Sequence, residues 1–203
     1  MGVGMAHRLL DGQHELRVFN RTAERADDLV AQGARWFATP REACEGGEAV
    51  VCMLADDEAS RAVWHGPDGA LAANLAPRAL AIECSTLSHD WVLELAATAA
   101  SKQLRYVDAP VTGLPESAAA GELTLLVGAP REHLDAARPL LARFSERILH
   151  FGPIGTGTVY KLLVNMLGAV SAELYRQLCA LGPEHVNESK IIDVARAQPP
   201  ARD

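Results

Sequence analysis

At 203 residues the chain is long enough for one complete core, or for one domain and part of a second. Its composition, 49% hydrophobic and 22% charged without a low-complexity tract, is that of a globular protein. A formal net charge of -7 argues against nucleic acid or an anionic membrane surface as a non-specific partner, while leaving room for a locally basic pocket.

The four cysteines, Cys44, Cys52, Cys84 and Cys179, are dispersed, with no CxxC pair and no metal-ligand spacing, so no metal is expected. Cys52 and Cys84 stand in apolar runs, where a reduced cysteine packs as a small hydrophobe. The N-terminus does not resemble a signal peptide, and no apolar run approaches the roughly 20 residues that cross a bilayer. A soluble, cytoplasmic protein is the default expectation.

Gly2 and Gly4, followed by Met5-Ala6 and Leu9-Leu10, read as the opening of a helix packed on a sheet. In a dinucleotide-binding fold such a helix follows a strand and a glycine turn, whose bare amides approach a pyrophosphate. No strand precedes it here, and a frayed terminus of small residues is the competing reading. Residues 15–20 (ELRVFN) predict a short strand and 22–32 a helix, with Thr22 as N-cap and Gly33 as its stop.

The run 49–54 (AVVCML) predicts a strand buried on both faces, as in a parallel sheet, and 56–64 a helix. Residues 79–83 read as another buried strand, 88–102 as a helix capped by Ser88, and 105–109 and 122–127 as strands. A helix over 130–144 and a strand over 147–151 follow. This alternation predicts a doubly wound α/β sheet of the Rossmann type. After a Gly/Pro-rich joint at 152–157, residues 158–181 read as one long helix, and 198–203 (QPPARD) as a disordered tail. Domain boundaries are expected at 1–154 and 155–203.

Three places could carry chemistry. Asn20-Arg21-Thr22 ends a strand where NAD-specific folds place an acid against the ribose diol. Arg21 instead offers a guanidinium fork to a 2′-phosphate, which favours NADP(H) over NAD(H), unless it is an ordinary surface arginine. The segment 108–113 (DAPVTG) puts the Thr112 hydroxyl beside Gly113, a small nest for a carboxylate or an ordinary loop. Lys161 and Asn165 share a helix face among apolar residues. Desolvation there would depress the lysine pKa and suit it to donate a proton, unless it snorkels to water.

In combination these segments are more specific than any one of them. Residues 2–10, Phe19-Asn20-Arg21-Thr22, Cys52-Met53-Leu54, Cys84-Ser85-Thr86, DAPVTG at 108–113, GELTLLVG at 121–128, Gly155-Thr156-Gly157, Lys161 and Asn165 resemble, in order and spacing, the β-hydroxyacid dehydrogenase family. The resemblance covers residues 1–178 and includes 3-hydroxyisobutyrate dehydrogenase and tartronate, glyoxylate and succinic semialdehyde reductases. It implies that Gly2, Asn20, Arg21, Thr22, Met53, Leu54, Ser85 and Thr86 line the cofactor, with Ser85 and Thr86 near the nicotinamide. It implies that Thr112 and Gly113 hold the substrate carboxylate, that Lys161 is the acid/base, and that Asn165 binds substrate. The activity implied is hydride transfer between NADP(H) and a small β-hydroxyacid or its semialdehyde or keto form.

Val164 stands where 6-phosphogluconate dehydrogenases place a histidine, and Lys161 is present where imine reductases usually lack a lysine; both favour a hydroxyacid. Thr112-Gly113-Leu114-Pro115 departs from the family's serine-glycine-glycine, and Leu114 is expected to narrow the pocket. Relatives begin with a strand and a GxGxMG turn, of which Met1-Gly2 is the closing part, and continue into an all-helical domain that builds a dimer. The expectation is therefore a Rossmann-like sheet with its first strand missing, followed by one long helix of an otherwise absent helical domain, from a misplaced start or a truncated product. A homo-oligomer would require the longer form. The alternative is a non-catalytic remnant or nucleotide-binding module of the same family. An unrelated structural α/β protein would require the motif order to be coincidence.

Overall fold

The structure, a computed structural model, describes residues 1–12 and 14–181. The expectations for 182–203, including the tail, lie outside the described residues.

Short, largely apolar segments of four residues make the inner strands. Strand β3 (Ala49–Cys52), β4 (Leu80–Glu83) and β5 (Arg105–Asp108) pair in parallel, Cys52 opposite Glu83 and Glu83 opposite Asp108. Their side chains alternate between two cores. Leu80, Ile82 and Val107 face Met5 and Leu9 of helix α1 (Gly2–Asp11) and Leu134, Ala137 and Leu141 of α7 (Arg131–Leu141). Cys52, Ala81 and Tyr106 face Trp64 of α4 (Asp57–Trp64) and Trp91, Val92 and Leu95 of α5 (His89–Ser101). Burial on both faces explains why the interior positions of these strands are apolar.

The sheet is mostly parallel, as a doubly wound parallel sheet was expected to be, with one antiparallel departure on its far side. Strand β7 (Leu123–Gly128) runs antiparallel to β5 and to β6 (Val111–Thr112), while β8 (Ser145–Gly152) is parallel to β7. The DAPVTG segment thus carries the chain from β5 into β6 in the same direction along β7, and the reversal comes after it, between β6 and β7. The segment continues into the short helix α6 (Pro115–Ala120), ended by Gly121 in the left-handed region at φ +79°.

Near the N-terminus the elements are shorter than expected. β1 (Arg17–Val18) pairs in parallel only with β2 (Arg35–Trp36), forming a separate two-stranded sheet. Among the described residues β1 and β3 thus belong to different sheets, and β3 pairs only with β4. The helix expected over 22–32 is a 3-10 turn (Ala23–Ala26) followed by α2 (Asp27–Ala31). Thr22 occupies the N-cap position without a side-chain cap; the Asn20 side-chain oxygen instead accepts from the Thr22 N–H at 2.9 Å. A tight first turn closed this way favours 3-10 geometry. Helix α3 (Pro40–Cys44) was not anticipated, although Thr39 before Pro40 is a start signal: its hydroxyl accepts from the Glu42 N–H at 3.1 Å. Ser88 caps α5 as expected, accepting from the Trp91 N–H at 3.4 Å.

Helix α8 runs from Thr156 to Leu181, two residues earlier than the sequence indicated. The chain divides into two compact units, Met1–Lys161 and Leu162–Asp203, so the first turn of α8 belongs with the sheet. Among the described residues no helix is long and apolar enough to cross a membrane.

Candidate cofactor site and active site

The crest of the sheet is organised by a buried carboxylate that the sequence reading passed over. Glu83, 1% exposed at the end of β4, takes four donors. One oxygen accepts from the Ser85 hydroxyl at 2.5 Å and the Ser85 N–H at 3.1 Å. The other accepts from the Ser60 hydroxyl at 2.9 Å and the Trp64 indole N–H at 2.8 Å. The Trp91 indole N–H donates to Ser60 in turn, at 2.9 Å. Burial pushes the Glu83 carboxyl above the ordinary carboxylate range, against the downward pull of these bonds. An acid inside an apolar strand was the available signal, because such a group persists in a core only with its donors supplied.

That network reaches two expected cofactor residues. The Ser85 hydroxyl accepts from the Leu54 N–H at 2.7 Å, tying the turn after β3 to the turn after β4. Ser85 is 1% exposed and its hydroxyl is engaged on both sides, whereas Met53, Leu54 and Thr86 are half-buried at the surface of the crest. Gly2 stands over Met53: a Cβ on Gly2 would lie 3.7 Å from the Met53 Cβ. Gly2, Met53, Leu54 and Ser85 are therefore brought together.

The start of α1 fits an anionic diphosphate. The helix has no side-chain N-cap and no acidic residue in its first turn, and Gly2 and Val3 are exposed. First-turn amides have no intrahelical acceptor and carry the positive end of the helix dipole. Gly4 serves packing instead, since a Cβ there would lie 2.8 Å from the Ala119 nitrogen of α6. Asn20, Arg21 and Thr22 follow β1, with Arg21 and Thr22 exposed.

Thr112 and Gly113 lie at the end of β6. The Thr112 hydroxyl is buried and has no hydrogen-bond partner among the described residues. Gly113 has φ +138°, and a Cβ there would lie 2.8 Å from Leu123 Cδ2, so only glycine fits. Leu114 is 67% exposed and belongs to neither core cluster.

The first turn of α8 is seated on β5 and β7. A Cβ on Gly128 would lie 2.8 Å from the Gly157 nitrogen, and one on Gly157 would run into the Leu126 carbonyl oxygen. Asp108, 1% exposed, accepts the Thr158 hydroxyl at 2.6 Å and the Thr158 N–H at 2.9 Å. Tyr160 stacks on Phe151 of β8 at 3.7 Å between ring centres. Lys161 follows at the end of this turn, half-buried, with no hydrogen bond or ion pair among the described residues. Desolvation pulls its ammonium below the ordinary lysine value. Asn165 lies on the same helix but in the second unit, where it is exposed.

Comparison with known proteins agrees with this architecture. The family model described as the NAD binding domain of 6-phosphogluconate dehydrogenase matches residues 1–152. The chain is 37% identical over 192 residues to an NAD-dependent L-serine dehydrogenase of Pseudomonas aeruginosa, covering 95% of this chain and 64% of that protein. It is also 37% identical over 182 residues to the 3-hydroxyisobutyrate dehydrogenase of the same organism, covering 90% of this chain and 61% of that one. The chain thus spans somewhat less than two thirds of the length of these curated relatives. The solved structure of Mycobacterium tuberculosis 3-hydroxyisobutyrate dehydrogenase with L-serine superimposes with a TM-score of 0.83 at 30% identity, covering all of this chain and 68% of that one. A two-faced sheet with an uncapped helix start at its crest, matched over three quarters of its length by that nucleotide-binding model, places this chain in the β-hydroxyacid dehydrogenase family.

Proposed function

We propose that the chain belongs to an oxidoreductase that moves hydride between NADP(H) and a small β-hydroxyacid or its semialdehyde or keto form. The observation that carries this reading is Lys161: a partly desolvated ammonium without a counter-ion among the described residues, on a helix start held against the end of β5. A bound nicotinamide dinucleotide supplies the hydride. Lys161 then donates its proton to the carbonyl oxygen as negative charge grows there, and takes it back in the oxidising direction. The unpartnered Thr112 hydroxyl and the Gly113 turn receive the substrate carboxylate, orienting the reacting carbon. Asn165, in the second unit, is the further substrate residue that the resemblance assigns.

Residues 1–154 are read as the cofactor-binding domain and 155–203 as part of a helical one. The amides at the start of α1 would hold the diphosphate, with Met53, Leu54, Ser85 and Thr86 beneath the rest of the cofactor and Asn20, Arg21 and Thr22 toward the adenosine ribose. The preference for NADP(H) rests on Arg21, exposed after β1 where an acid would favour the free diol. The L-serine dehydrogenase relative is named for NAD, so the preference is tested directly. The same reading puts the protein in the cytoplasm, in keeping with free Cys44, Cys52 and Cys84, and as a homo-oligomer, a dimer, in its working form.

Fluorescence titration with NADPH and NADH decides the cofactor. NADPH is expected to bind more tightly, and Arg21→Ala to remove the difference. Equal affinities in the unaltered chain would sink the NADP(H) assignment, and no binding of either would sink the enzyme reading.

A further inference from the structure

We propose that Asp108 is a positioning residue for Lys161: its carboxylate seats the first turn of α8 on the end of β5 and thereby sets where the lysine ammonium stands. This inference rests on the acid/base role proposed for Lys161.

Asp108 ends β5 and is almost wholly buried, as is Thr158. Its two oxygens are divided between two donors of one residue, the Thr158 hydroxyl at 2.6 Å and the Thr158 N–H at 2.9 Å. One bond to a helix fixes a point; two bonds to backbone and side chain of the same residue fix the rotation of the turn as well. Thr158 is three residues before Lys161, the spacing that puts two side chains on adjoining parts of one helix surface. Any rotation of the turn at Thr158 is therefore carried to Lys161.

The opposite side of the turn is closed by backbone. A Cβ at Gly128 would lie 2.7 Å from the Pro153 carbonyl oxygen and 2.8 Å from the Thr156 hydroxyl. The turn can approach the sheet this closely only because Gly128 and Gly157 lack side chains, and Asp108 then sets its angle.

Chemistry also favours a carboxylate over an apolar contact at this place. The helix start presents unpaired N–H groups, and an acceptor from a neighbouring strand satisfies them as a local cap would. Burial raises the Asp108 carboxyl, and the bonds from Thr158, the Gly155 backbone and the nearby His89 on α5 offset that only in part. Cys84 after β4 and Tyr106 on β5 are the other titratable groups that sense its charge.

The test uses the full chain in four forms: unaltered, Asp108→Asn, Thr158→Val and Thr158→Ser. The sequence has three lysines, so the Lys161 side chain can be followed by carbon NMR through a pH titration and assigned with Lys161→Arg. In Asp108→Asn and Thr158→Val the Lys161 midpoint is expected to move back toward the ordinary lysine value, while Thr158→Ser, which keeps the hydroxyl, restores it. Where turnover is measured, kcat is expected to fall about 10- to 100-fold in the first two, with the cofactor KM changed less than about twofold. An unchanged Lys161 titration in both variants overturns the proposal. So does a loss of kcat matched by equal losses in cofactor affinity and melting temperature, which marks general damage. Should Asp108→Asn fail to fold, the Val and Ser variants at Thr158 decide alone. Lys161→Ala turning over like the unaltered protein would sink the dehydrogenase reading itself, and the NMR titration would still judge the coupling.

Discussion

At the scale of single residues, Lys161 and Thr112 are unusual for the partners they lack among the described residues. Desolvation lowers the Lys161 pKa below its ordinary value of 10.5, so its protonated form is lost earlier on the alkaline side. Carbonyl reduction needs that form. The reduction rate is therefore expected to be level at low pH and to fall with a midpoint below 10.5, while the reverse oxidation rises over the same interval. Lys161→Arg should push this limb to higher pH, and Lys161→Ala should lower kcat by roughly 10²- to 10⁴-fold. A pH–rate profile that Lys161→Arg leaves in place would assign the limb to another group. For Thr112 the prediction separates fold from function. Thr112→Val removes a buried hydroxyl without a partner, so the melting temperature should hold or rise. The KM for the carboxylate substrate should increase about tenfold, the worth of one hydrogen bond to a charged group.

Among elements, α8 shows how backbone proximity divides the roles of similar residues. Gly157 and Gly168 lie on the same helix, and sequence alone does not distinguish them. A Cβ at Gly157 collides with the Leu126 carbonyl oxygen, whereas one at Gly168 meets nothing within 4 Å. Gly157→Ala should therefore destabilise the protein by about 1–3 kcal/mol, because helix or strand must shift. Gly168→Ala should stabilise it by about 0.5–1 kcal/mol through the lower entropy of the unfolded chain. Denaturant midpoints measure both, and equal effects would mean that the helix does not sit on β7 as described.

For the whole molecule, two buried acids meet at the crest of the sheet. Glu83 and Asp108 are register partners on adjacent strands, and burial raises both carboxyls. The folded protein thus holds these protons to higher pH than the unfolded chain does. The contribution of Glu83 is complete below its unfolded value near 4.5 and declines as pH rises through its higher folded value. The Glu83→Gln variant lacks this titration. The melting temperature of the unaltered protein minus that of Glu83→Gln is expected to shrink as pH is raised above 4.5. A gap that widens instead would mean that the four donors hold the carboxylate ionised and that the sign is reversed.

Much of this architecture was readable from residues in order. Leu80, Ala81 and Ile82 of β4 are apolar because helices cover both faces of the strand, and that requirement is written locally. The Ser88 cap of α5 is local for the same reason, since its partner is three residues away. The family pattern singled out Lys161 and Thr112 as candidates from the sequence. What the chain order does not carry is any relation made across strands. The antiparallel insertion of β7 depends on pairing with β5 and β6, and the short β1 and β2 depend on each other. Glu83 gathers donors from α4 and from the turn beyond β4, and Asp108 finds Thr158 fifty positions later. Local residues set the period and ends of each element through short-range sterics and hydrogen bonds. Only the tertiary structure brings a buried charge to its donors, because those donors come from segments that meet once the sheet has formed.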